Sequence, residues 1–131
     1  MILYLNPPDF MYLDPPPRLK ERGREPFAIL ELGSGTGIAA SCMANLLQKG
    51  DLLIVTDLPE VRNTSSCERT AKAWQVCPLL EKNLSKHSGT PAQLAVRPLT
   101  WGNLEHTQAI AKEFQPLSLT HIVCSDLVSI V

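Results

Sequence analysis

The sequence predicts an α/β domain built on a mostly parallel sheet, from three observations. Short apolar runs, the pattern of strands buried on both faces, alternate with stretches whose apolar residues recur at helical spacing. Three glycines, Gly33, Gly35 and Gly37, separate the first apolar run from the first helical stretch. An acid, Asp57, closes the second apolar run. Strand, glycine turn, helix and strand together make a right-handed βαβ unit.

The elements follow in order. Residues 1–25 form a proline-rich lead-in, and its three consecutive prolines, Pro15, Pro16 and Pro17, exclude helix and favour an extended conformation. Residues 27–32 (FAILEL) are a buried strand running into the glycines. Residues 38–49 carry apolar side chains at helical spacing, with Gly50 as the stop. Residues 52–55 (LLIV) are the second strand, closing on Thr56 and Asp57. Residues 62–75 are polar and without period, and residues 76–86 read as a helix that tolerates Pro78 in its first turn. A third strand is expected at 94–96, a loop at Trp101, Gly102 and Asn103, a helix at 105–114 and a fourth strand at 121–128.

Composition narrows the function classes. The 131 residues suit one small domain, and 44% hydrophobic with 19% charged residues fits a packed core. A net charge of -1 without a basic run gives no electrostatic footprint for nucleic acid. The apolar start breaks at Pro7 and Pro8, too soon for a signal segment or a membrane span, so a soluble protein is expected. Cys42, Cys67, Cys77 and Cys124 form no CxxC pair. Cys42 is expected on a helix and Cys124 in a buried strand, both as small apolar residues of a reduced, intracellular protein. The spacing of Cys67, Cys77 and His87 is too wide for a recognisable zinc site, and no metal is expected. His106 and His121 read as structural or solvent-facing.

The chemistry concentrates at the glycine turn. Glycines there let the chain turn tightly and let a ligand approach the backbone closely, and amides at the following helix start suit an anionic group. Asp57, twenty residues after Gly37, stands where an acid accepts both hydroxyls of a ribose. The glycine pattern is G-x-G-x-G rather than the dinucleotide G-x-G-x-x-G, and no GK[ST] follows, which excludes a P-loop. Glu31, just before the turn, would repel a pyrophosphate and attract a cationic amino-acid group. A nucleoside carrying an amino-acid part fits these features better than a nicotinamide dinucleotide. Trp101 is open to two readings, a core aromatic or a wall of the site.

Five segments in this order, ILELGSGTGIAA, IVTDLPEV, PLLEKNL, LTWGN and HIVCSDLV, resemble the motifs of the seven-strand protein-lysine methyltransferases, methyltransferase family 16. The resemblance runs from about Ile29 to Val128. It implies a Rossmann-like three-layer sandwich and S-adenosylmethionine as cofactor, with Glu31, Gly33, Gly35 and Gly37 around its methionyl part. Asp57 would hold the ribose, and Leu58 and Trp101 would line the adenine. Asp126 matches the acid of the family's SD-[VL]-V-Y motif and would stand beside the incoming amine as the catalytic residue that orients it. The implied substrate is a lysine on another protein, such as a translation factor or chaperone, and the implied location is cytoplasmic, with the nucleus as an alternative.

Three departures shape the expectation for activity. The proline-rich start carries no tryptophan, residues 62–75 read as an insertion beside the adenine pocket, and Ser129 stands where the family has tyrosine. On this reading residues 26–131 form a partial methyltransferase domain of about four of seven strands, in which cofactor binding outlasts turnover. The alternative is a non-catalytic methyltransferase-like binding or scaffold module.

Overall fold

A computed structural model describes residues 25–59, 76–87 and 89–124. Along the chain these form β1 (Ala28–Leu32), α1 (Ile38–Ala44), β2 (Leu52–Asp57), α2 (Val76–Leu84) with a 3-10 turn (Ser85–His87), β3 (Gln93–Pro98), α3 (Leu104–Glu113) and β4 (His121–Cys124). The four strands make one sheet in the order β3-β2-β1-β4, and every pair is parallel. The chain therefore steps outward from β1 to β3 and then returns to the far side of β1. This reversal leaves a switch point between β1 and β4.

Strand alternation sorts the side chains into two layers of core. Ile29, Leu53, Val55 and Val96 point to one face and pack with Ala40, Met43 and Leu47 around α1 and with Leu80 and Leu84 of α2. Each large apolar side chain fully buried here contributes about 1.5–3 kcal/mol. Arg97 points to the opposite face from Val96, where it pairs bidentately with Glu113 and lies 5.6 Å from the Phe114 ring centroid. That pairing fixes α3 on the second face, with Ile110 as its buried residue. Helices on both faces of a parallel sheet are the expected three-layer α/β arrangement.

The Arg97–Glu113 pair is partly solvent-exposed, so it orients α3 more than it stabilises the domain. The guanidinium holds the Glu113 carboxyl below the usual glutamate range, chiefly through the hydrogen bond. A depressed carboxyl stabilises the fold fully above the unfolded value of about 4.3 and loses that contribution as pH falls through the folded value. Carbon-detected NMR titration should place the Glu113 midpoint below that of ordinary glutamates, and Arg97→Gln should return it to the usual range.

Two sequence expectations change. The apolar spacing through residue 49 predicts a longer first helix, yet α1 stops at Ala44, with Asn45 as its C-cap. The Leu46 N–H bonds back to the Met43 carbonyl in a turn, and Leu47 is still buried, so the apolar period continues beyond the helix that it suggests. Asp51, 4% exposed, organises this exit: its Oδ1 accepts from the Phe27 N–H at 2.9 Å and its Oδ2 from the Gln48 N–H at 2.7 Å. It thereby ties the turn before β2 to the start of β1. Asp51→Asn, which turns one acceptor into a donor against a backbone N–H, should cost about 1–2 kcal/mol in urea unfolding.

The second change concerns β4. Its His121 and Val123 face the α1/α2 side, with the His121 ring edge-on to Phe27 at 5.1 Å. Ile122 and Cys124 face the other way and are exposed, Ile122 by 61%. The expectation of a buried Cys124 fails, since Cys124 is exposed at the end of β4 on the same face as Ile122. The expected lead-in at 1–25 falls outside the described residues except for Glu25, and so do the polar segment 62–75 and the end of the fourth strand.

Candidate functional site

In open parallel sheets a ligand crevice forms at the carboxyl ends of the strands where the strand order reverses. Here that point is the end of β1, and the chain places its three glycines there. Gly33, Gly35 and Gly37 all adopt positive φ, at 66°, 55° and 82°. The two later glycines serve different purposes. A Cβ at Gly37 would lie 2.5 Å from Leu80 Cδ1, so this glycine lets the start of α1 close against α2. A Cβ at Gly35 would meet nothing within 4 Å, so Gly35 leaves open space above the turn.

The turn is stitched to the end of β2. Thr56 donates from Oγ1 to the Glu31 carbonyl at 2.6 Å, and the Ser34 N–H bonds to the Thr56 carbonyl at 3.0 Å. Asp57 completes the connection: its Oδ2 accepts from the Gly35 N–H at 2.5 Å and its Oδ1 from the Leu58 N–H at 2.7 Å. The acid and the glycine turn, distant in sequence, are therefore in direct contact. Each carboxylate oxygen has two acceptor positions, and one backbone donor apiece leaves Asp57 able to receive a pair of hydroxyls.

The amides of Ser34, Gly35 and Gly37 are engaged within the protein, by Thr56, Asp57 and the Ser34 carbonyl. With α1 only seven residues long, the expected anion site at a helix start is reduced to the turn itself. Glu31 is fully buried beneath the turn. Ser34, 8% exposed, has no hydrogen-bond partner for its Oγ. Ser34→Ala should therefore be neutral or stabilising by up to about 1 kcal/mol in thermal unfolding, since the hydroxyl is desolvated without return.

Leu58, Trp101 and Asp126 are the other residues expected at the site. Leu58 follows Asp57 and is 39% exposed. Trp101 is 60% exposed in the loop beyond β3, which rules out its reading as a core aromatic. That loop begins beside Asp57, because β3 pairs Pro98 with Asp57 and the Leu99 N–H bonds to the Asp57 carbonyl at 2.8 Å. Asn103 then caps α3 by accepting from the His106 N–H, while His106 Nδ1 accepts from the Thr100 N–H, so His106 is structural as expected. Asp126 lies outside the described residues, beyond the end of β4.

Contacts from α2 escaped the sequence reading. Cys77 Sγ lies 3.7 Å from the Asp57 carbonyl and 3.6 Å from that of Leu58, Leu80 packs under Gly37, and Asn83 Nδ2 donates to the Thr36 carbonyl at 2.9 Å. Burial, with help from Asp57 and Glu81, pushes the Cys77 thiol up. The PLLEKN segment was visible as a helix, but nothing in its spacing says which strand end it grips. Among the described residues no group of three or more His, Cys, Asp or Glu could hold a metal, and no helix is long and apolar enough to cross a membrane.

A parallel three-layer sheet with a glycine turn and an acid in contact at its switch point defines a Rossmann-like fold. The lysine methyltransferase family model matches residues 8–130, nearly the whole chain, and the protein belongs to that family. Searches of curated proteins and of solved structures returned no match.

Proposed function

We propose that this protein is an S-adenosylmethionine-dependent methyltransferase acting on a lysine of a protein substrate, in the cytoplasm or nucleus. The observation that carries the reading is the contact between Asp57 and the Gly35 amide at the switch point. The residues suit the cofactor on two counts. Asp57 keeps acceptor capacity for two ribose hydroxyls, and Gly35 leaves open space where the amino-acid part would lie, while Glu31 is buried beneath the turn. Leu58 and Trp101 offer exposed apolar surface for the adenine.

S-adenosylmethionine supplies a methyl group on a positively charged sulfur, already activated for transfer. The protein's task is to hold a lysine amine in line with that carbon, which removes much of the entropic barrier. A lysine amine, with an ordinary pKa of about 10.4, must shed its proton before it can attack. Desolvation in a narrow entry favours the neutral amine. Asp126 is the residue we assign to orienting it, with the proton passing to solvent.

The test is transfer itself. Incubation with cofactor labelled in its methyl group and a protein extract should leave label on lysine after acid hydrolysis. A chain that binds cofactor yet labels no lysine above a heat-inactivated control is a non-catalytic module.

A further inference from the structure

We infer that Asn83 is a positioning residue for the amino-acid end of the cofactor, an inference that rests on the reading under Proposed function. Cys77, Leu80 and Asn83 stand three residues apart along α2, so they share one helix face. That face meets both halves of the site. Its first turn reaches the Asp57 and Leu58 carbonyls, its middle lies under Gly37, and its last turn delivers Asn83 to the Thr36 carbonyl at 2.9 Å.

The Thr36 carbonyl belongs to the peptide that joins Thr36 to Gly37. Gly37 carries a φ of 82°, and its N–H closes the turn on the Ser34 carbonyl at 2.8 Å. A glycine peptide is the easiest of all to rotate, because no Cβ restrains it. Rotation of this one would turn the Thr36 carbonyl towards the side where the Gly37 N–H now meets the Ser34 carbonyl, so that two carbonyls would oppose each other and the turn beside the open space at Gly35 would open. Asn83 holds that oxygen against α2 and so keeps the turn in the shape that leaves the space above Gly35 open for the amino-acid end. Asp57, by contrast, grips the turn from the nucleoside side through the Gly35 amide. The two ends of the cofactor therefore depend on different side chains.

This division is testable with two ligands that differ only at one end. S-adenosylhomocysteine carries the amino-acid part, and 5′-methylthioadenosine lacks it. Calorimetric titration of the full chain should show Asn83→Ala binding S-adenosylhomocysteine about tenfold more weakly, with 5′-methylthioadenosine unchanged. Asn83→Asp keeps the side-chain shape and sets a carboxylate against the carbonyl, so it should lose at least as much. It also supplies the comparison if the alanine variant does not fold. Equal affinity of variant and wild type for S-adenosylhomocysteine, or equal loss for both ligands, overturns the inference while leaving the cofactor reading intact. Wild-type protein that binds neither ligand overturns both.

Discussion

Asp57→Ala should weaken binding of S-adenosylhomocysteine by at least about a hundredfold. Hydrogen bonds to a charged group are worth about 1.5–3 kcal/mol each, and the substitution removes the acceptor for two ribose hydroxyls at once. It also releases the Gly35 and Leu58 amides, so part of the loss comes through a loosened turn. Asp57→Asn separates these contributions. It retains one acceptor oxygen for the backbone but no longer offers a charged pair to the ribose, and its loss should be smaller. Isothermal titration on both variants, with circular dichroism to confirm folding, makes the comparison. An alanine variant that binds as wild type would remove Asp57 from the site.

Gly37→Ala should destabilise the domain by about 2–4 kcal/mol, the largest stability change expected from a single methyl group here. One part is conformational, since an L residue at a φ of 82° pays about 1–2 kcal/mol. The other is steric. The new Cβ would sit 2.5 Å from Leu80 Cδ1, so the fully buried Leu80 side chain would have to shift. Gly35→Ala carries the conformational part alone, because nothing lies within 4 Å of its Cβ. Its effect should instead appear in ligand affinity, as the methyl enters the space left for the cofactor. Urea unfolding of the two variants, and of Gly37→Ala in a Leu80→Ala background, separates strain from collision. The cost of Gly37→Ala should shrink in that background.

These contrasts mark how far the sequence reached. The glycine turn, Glu31 and Asp57 were legible because local chemistry specifies them: a strand ends, the chain turns through positive φ, and an acid closes the next strand. Their mutual contact follows from the βαβ unit, whose right-handed crossover leaves little freedom. The placement of β4 beside β1 was not legible, since a fourth strand can add to either edge without changing its own sequence pattern. The end of α1 was misjudged because Leu47 continues the apolar period while Asp51, a residue of the next turn, draws the Gln48 amide out of the helix. Trp101 was undecidable from composition, and only its loop position separates wall from core. Asn83 and Leu80 could not be assigned from spacing, because a helix reveals its apolar face but not the partner that the face meets.

Calorimetric titration of the purified chain with S-adenosylhomocysteine, against a nicotinamide dinucleotide as control, tests the central claim most directly. Saturable one-site binding of the first and no heat from the second is the predicted result. A folded protein that gives no heat with S-adenosylhomocysteine would contradict the cofactor site described for Gly35 and Asp57.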